Sequence, residues 1–230
     1  MEKLVYLLWR AAEEDADSFA KRMLASAGPA LVRLGASKVT LHLADGQADL
    51  GRTVPVRDER DPIAGTASFW LASVDDRAEF ETILRFACAR VAGYLVTESV
   101  PRDFDRRDWP DGARCPGVVM ISVFPQPARL SRDAFIARWH DSHTPLALEV
   151  HPLWRYVRNV VARGLTSGAP VYAGIVEEHV REREDLFDPI RFYGGPERAE
   201  RNMARILDDA KSFLDLEHVM SAVTSAYILS

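Results

Sequence analysis

The segment Arg138-Trp139-His140-Asp141-Ser142-His143-Thr144-Pro145 holds the densest set of side chains able to move a proton. His140 and His143 stand at i and i+3, which places them on one face of a helix. Thr144 precedes a proline, and helical backbone is disfavoured at such a residue. The helix is therefore expected to break or kink near His143, leaving that residue in a C-terminal turn. The dipole there favours imidazolium and raises the pKa, whereas burial lowers it. A histidine between those two pulls titrates near neutrality, as a general acid or base requires. Two other readings fit the same residues. The pair can be structural, one ring capping helix carbonyls and the other bonding a strand. It can also offer two metal ligands, with Asp141, His151 or Glu149 as a third. Nothing in the spacing completes a recognised metal pattern, so no metal is expected.

Alternation along the following strand supplies possible partners. Tyr156 and Arg158 share one face, while Arg155, Val157 and Asn159 share the other. Tyr156 and Asn159 cannot both enter one pocket from a regular strand. Asn159 is the expected site member, because an amide between Val157 and Val161 needs a reason to be buried; satisfying backbone groups at a bulge is the alternative. Glu177 alternates with Ala173 and Ile175. It can orient a histidine or pair with an arginine, or it can sit at a solvated strand end. Trp139 and Phe135 fit a core stripe, and Arg181-Glu182-Arg183-Glu184-Asp185 fits a solvated face. Gly194-Gly195-Pro196 is a turn rather than a dinucleotide fingerprint. A phosphate-binding loop, a GxSxG elbow and a CxxC pair are all missing from the sequence.

The elements that must position these residues follow from periodicity. Leu4 to Trp9 is an apolar strand, and Asp17-Ser18 opens a helix carrying Phe19, Met23, Leu24, Ala27, Leu31 and Leu34, stopped by Gly35. Val39–Leu43 is a strand, 47–65 a charged arm or lid, and 67–73 a strand. Asp75-Asp76 caps a helix with Phe80, Ile83, Leu84, Ala87 and Val91, and 94–97 is a fourth strand. The segment 101–116 has no apolar period and reads as a linker between units 1–100 and 117–230. The order then recurs: strand 118–124, a helix from Ser131, β-rich 154–161, strand 172–177, helix 197–213, strand 219–229. Each half reads β-α-β-β-α-β, the ferredoxin-like split unit. Offset by 116 positions, Asp17, Phe19, Arg22 and Pro29 fall on Asp133, Phe135, Arg138 and Pro145; at 121, Arg77-Ala78-Glu79 falls on Arg198-Ala199-Glu200. Repeated order and repeated residues together imply an internal duplication. A four-stranded sheet with both helices on one face leaves its other face bare. Two such sheets in one chain are expected to bury those faces together, as an α+β pseudo-two-fold barrel.

Composition agrees. The 230 residues are 47% hydrophobic and 27% charged with net charge −5, which excludes wholesale disorder and a broad basic surface for nucleic acid or anionic lipid. No apolar run approaches a membrane span, the start lacks signal-peptide character, and Cys88 and Cys115 are too few for a disulfide scaffold. A cytoplasmic protein is expected.

Phe135, Trp139-His140, His143, Pro145-Leu146 and Tyr156-Val157-Arg158-Asn159 resemble the EthD domain, a branch of the dimeric α/β-barrel superfamily. The tail Lys211-Ser212-Phe213-Leu214-Asp215 also looks like that domain's end. The resemblance covers about residues 117–229. In the first half Leu24 and Ala27 stand where His140 and His143 stand, so that half resembles a degenerate copy completing the barrel.

The resemblance implies polyketide cyclase or dehydratase chemistry, metal- and flavin-free oxygenation, haem handling, or an accessory role in xenobiotic degradation. It also implies a pocket between the sheet and its helices. The expected function is cofactor-independent acid–base catalysis on a small hydrophobic carbonyl compound. His143, His140 and Asn159 are the expected catalytic residues, and Tyr156, Trp139 and Glu177 the expected substrate contacts. The alternative is a non-enzymatic protein that binds a hydrophobic ligand or haem. Neither nucleic acid nor membrane is expected as a partner, and the barrel is expected as a monomer or a homodimer.

Overall fold

The structure is a computed structural model that describes residues 1–48 and 62–230. Most of the expected 47–65 arm lies outside the described residues. Among the described residues eight strands form a closed antiparallel barrel: β1 (Glu2–Trp9), β2 (Ser37–Leu43), β3 (Gly65–Leu71), β4 (Arg90–Arg102), β5 (Val118–Phe124), β6 (Leu153–Gly164), β7 (Gly174–Val180) and β8 (Met220–Ile228). Around the barrel they run β1-β3-β2-β8-β5-β7-β6-β4. Each half therefore contributes four adjacent strands in the same relative order. Two seams join the halves, β2 on β8 (Thr40↔Ile228 to Leu43↔Ser225) and β4 on β6 (Tyr94↔Gly164 to Arg102↔Tyr156). The first two residues of the expected linker, Pro101 and Arg102, belong to β4, whose partner β6 extends the ladder that far.

Both faces of the sheet are covered, which explains the unbroken apolar run of β1. Val5, Leu7 and Trp9 pack inside the barrel with Val119, Ile121, Val123 and Ile175. Leu4, Tyr6 and Leu8 pack outward against Phe19, Met23, Leu31 and Leu84. The outer layer comprises α1 (Ala16–Arg22), α2 (Gly28–Arg33) and α3 (Ala78–Ala87) in the first half, and α4 (Arg132–Ala137), α5 (Thr144–Val150), α6 (Glu184–Phe187), α7 (Pro189–Phe192) and α8 (Ala199–Phe213) in the second. Asp15 caps α1, slightly before the expected Asp17-Ser18 start, and Ser131 caps α4. Ser73, rather than Asp75-Asp76, caps the short 3₁₀ turn that leads into α3. No helix of the described residues is long and apolar enough to cross a membrane.

The helix expected to break or kink near His143 stays unbroken there. A π-helical turn, Arg138–His143, links α4 to α5, and Thr144 keeps helical backbone at φ −60, ψ −50. Proline cannot donate its nitrogen and its ring crowds the carbonyl four residues back. The wider turn relieves that clash by shifting the bonding to i→i−5: the Thr144 N–H and hydroxyl both donate to the Trp139 carbonyl. The first half repeats the device. Met23–Ala27 is a π turn, Gly28 N–H donates to the Met23 carbonyl, and Pro29 follows.

Two glycines, one in each half, admit aromatic rings. A Cβ on Gly174 would lie 2.4 Å from the Phe124 ring and 2.7 Å from Trp139, and one on Gly93 would lie 2.3 Å from the Tyr6 ring. Gly174→Ala is expected to destabilise the fold by about 1–3 kcal/mol, the usual cost of overpacking. A urea titration checks this, and an unchanged midpoint would refute it.

Candidate functional site

The expected site residues divide between two spaces separated by the sheet. The first is a cavity of about 190 Å³ between the outer face of β5, β6 and β7 and the helices above it. Its lining includes His143 and Trp139 from the π turn, Tyr156 from β6, Glu178 from β7, His151 after α5 and Phe213 from α8. Met120, Phe124, Val176, Leu214 and Val219 make most of the remaining wall apolar. An engineered apolar cavity of about 150 Å³ holds benzene, so one substituted ring is a fitting occupant.

His143 is held by Asp209 of α8, with Nδ1 2.8 Å from the carboxylate Oδ2, and its ring lies 4.9 Å from that of Phe213. Burial lowers its pKa, and the Asp209 hydrogen bond and charge oppose that fall without reversing it. The helix-end dipole expected to raise it is absent, because the helix continues into α5. Neutral His143 donates from Nδ1 to Asp209, which leaves Nε2 as the basic nitrogen. Glu178 is the second ionisable group in the wall. Burial alone pushes its carboxyl up to about 7, into the range where it can donate a proton. His151 is pulled down to about 4 by burial, opposed by its bond to the Phe192 carbonyl, so it stays neutral.

His140 does not join His143. In a π turn residues three apart no longer stack, and His140 is not part of the cavity wall. Its ring meets Trp139 edge-on at 5.1 Å, its Nε2 is buried without a hydrogen bond, and burial followed by Arg158 lowers its pKa. Trp139 serves both the core and the cavity wall.

Asn159 and Glu177 lie in the second space, inside the barrel, and so do not reach the His143 cavity. The strand pleat sends Tyr156 outward and Asn159 inward, as alternation requires, but the polar inward face meets a different site. Asn159 Nδ2 donates to Glu177 Oε1 at 3.1 Å. Glu177 is not at a solvated strand end; it is 4% exposed. Burial would raise its pKa, yet Lys3 foremost, with His179, His42 and Arg155, holds it well below the usual carboxylate range. Lys3 lies 3.5 Å from Glu177 Oε1 and also pairs with Glu98.

Sequence reasoning missed Asp209, Glu178 and the interior His42 and His179. Asp209 precedes Phe213 by four positions on an amphipathic helix, a spacing that places both on one face. Glu178 follows Glu177 on a strand, so one of the two had to face the helices.

No protein-family model and no curated protein matches the sequence. Among solved structures, an anthrone oxidase-like protein matches all of this chain and 92% of its own, at 10% identity and TM-score 0.54. A candidate monooxygenase of Fusobacterium nucleatum subsp. nucleatum also matches all of this chain and 92% of its own, at 8% identity and TM-score 0.51. At such identities the likeness is one of fold alone, and the fold is the closed eight-stranded α+β barrel described above.

A carboxyl raised from 4.5 to about 7 weakens the fold as pH climbs through that interval, because the unfolded chain ionises it more readily. Glu178→Gln is therefore expected to raise the melting temperature by several degrees at pH 8 and to change it little at pH 5. Equal shifts at both pH values would show that Glu178 ionises freely in the folded protein.

Proposed function

We propose that the chain is an enzyme that moves a proton on or off carbon next to a carbonyl, in a small and largely apolar substrate held in the His143 cavity. The observation that carries this is His143, held by Asp209 at 2.8 Å and set in the same cavity wall as Glu178. Asp209 fixes the imidazole tautomer, so Nε2 accepts the proton from the substrate carbon. Glu178, whose raised pKa keeps a protonated fraction available near neutrality, donates a hydrogen bond or a proton to the enolate oxygen. Phe213, Phe124, Met120 and Val176 exclude water, which strengthens both interactions. Tyr156 and Trp139 shape the cavity. This chemistry uses no cofactor and serves isomerisation, dehydration and cyclisation alike. The carbanion it forms is also what a cofactor-free oxygenase presents to oxygen, a reading in keeping with the names of the two structural relatives. His140 has no direct part in it.

We further propose that the two halves are ferredoxin-like units descended from a duplication, with an EthD-like unit at 117–230 and a copy at 1–100 that lost the histidines. The mirrored π turns, each followed by a proline at the same offset, support that descent.

Deuterium uptake at carbon, followed by NMR in D₂O over a panel of cyclic diketones and phenolic ketones, tests the proposal. His143→Ala is expected to slow exchange by about 10²–10⁴-fold, and Asp209→Asn by less, with substrate affinity little changed. Full exchange in His143→Ala would overturn the assignment. Binding of panel members without exchange in the wild type would favour a ligand-binding accessory protein instead.

A further inference from the structure

Inside the barrel three side chains from two halves of the chain converge. His42 comes from β2, and Glu177 and His179 from β7. Both histidines are buried, at 0% and 3% exposure. Each presents Nε2 to the same oxygen, Glu177 Oε2, at 3.8 Å and 3.7 Å. Those separations are too long for hydrogen bonds, and both Nε2 atoms lack a partner. Two orphaned, buried ring nitrogens beside one carboxylate oxygen are costly unless something lies between them.

We propose that His42, His179 and Glu177 form a binding site for a divalent first-row transition metal ion, separate from the His143 cavity. Their ligand atoms all lie within 4.8 Å of one another. Ligands bound at about 2.0–2.1 Å in a tetrahedron stand about 3.4 Å apart, close to the two histidine–carboxylate separations of 3.8 Å and 3.7 Å. The surrounding contacts prepare the set. His42 Nδ1 lies 3.0 Å from Thr66 Oγ1, which orients the ring and leaves Nε2 for the metal. Lys3 and Asn159 Nδ2 occupy Glu177 Oε1, while Oε2 faces the two histidines with Arg155 Nη1 3.5 Å away. Both imidazoles are kept neutral chiefly by burial, with His42 pulled down to about 3. Asn159 Oδ1 is one more buried acceptor without a donor, on a side chain bonded to the same carboxylate.

Charge balance permits a dication. Lys3 and Arg155 are the nearby cations, and Arg155 Nη1 lies 3.5 Å from Glu177 Oε2. Glu177, Glu98 and Asp103 are the facing anions, and Arg155 Nε is bonded to Asp103 at 2.8 Å. Three carboxylates against two cations leave one negative charge for the ion to meet. Two imidazoles and one carboxylate form a three-ligand set with open positions, as suits zinc or ferrous iron. Phe104, from the segment joining the halves, lies 5.5 Å edge-on to His179 and packs on Trp109 and Trp154. This aromatic group packs against one side of the cluster.

The test strips the full chain with a chelator and titrates it with Zn²⁺ or Co²⁺, reading stoichiometry by calorimetry, the Co²⁺ absorption spectrum and the melting temperature. One ion per chain is expected, with a higher melting temperature. His42→Gln and His179→Gln are each expected to weaken binding at least tenfold, while His143→Ala leaves it intact. Should either glutamine variant fail to fold, histidine-ring NMR of the wild type decides. Two of the six histidines are expected to shift with Zn²⁺, His143 not among them. No uptake of either ion, or uptake that shifts the His143 signals instead, would overturn the proposal.

Discussion

Closing eight strands into a ring leaves the sheet no free edge, and the two seams between halves bring this about. The seam strands β2–β8 and β4–β6 pair antiparallel, so every strand finds two neighbours within the one chain. Closure also seals an interior away from water, where a charge must find its partner. Lys3, Glu98, Glu177 and Arg155 satisfy one another there, and Lys3 and Glu177 join the two halves across the interior. Had the sheets stayed apart, those groups would be solvated and Glu177 would be an ordinary surface carboxylate.

One pair of neighbours shows how closure creates two chemistries. Glu177 and Glu178 are consecutive on β7, and the pleat sends one into the barrel and the other under the helices. Cations surround the first and keep it ionised. The second meets an apolar wall and holds its proton up to about pH 7. The same side chain thus becomes a permanent anion on one face and a proton donor on the other, a few ångströms apart along the backbone.

Much of this architecture is legible in the residues, because buried strands leave unbroken apolar runs and helices a wider period. β1, β5 and α8 need no tertiary information. The helix across Thr144-Pro145 does, because the local rule against helical backbone before proline is outweighed by the paired bonds from Thr144 to the Trp139 carbonyl. That one turn decides whether His140 and His143 share a face. Alternation correctly separates Tyr156 from Asn159 but is silent on which face is the barrel interior, since that depends on which strand closes the seam. His42 is unreadable for the same reason: nothing near it in the chain announces β7 as its neighbour across the barrel.

The pairing registers give every interior residue a counterpart in the other half. Lys3 and Val119 occupy equivalent places on β1 and β5, Trp70 and His179 on β3 and β7, and His42 and Asn159 on β2 and β6. None of these pairs matches in chemistry. A barrel assembled from two identical chains would repeat each interior choice across its axis, facing lysine with lysine and histidine with histidine. Joining the halves in one polypeptide removes that obligation. The interior becomes a place where opposite walls can hold unlike groups, and a three-residue cluster with no symmetry mate becomes something a single gene can write.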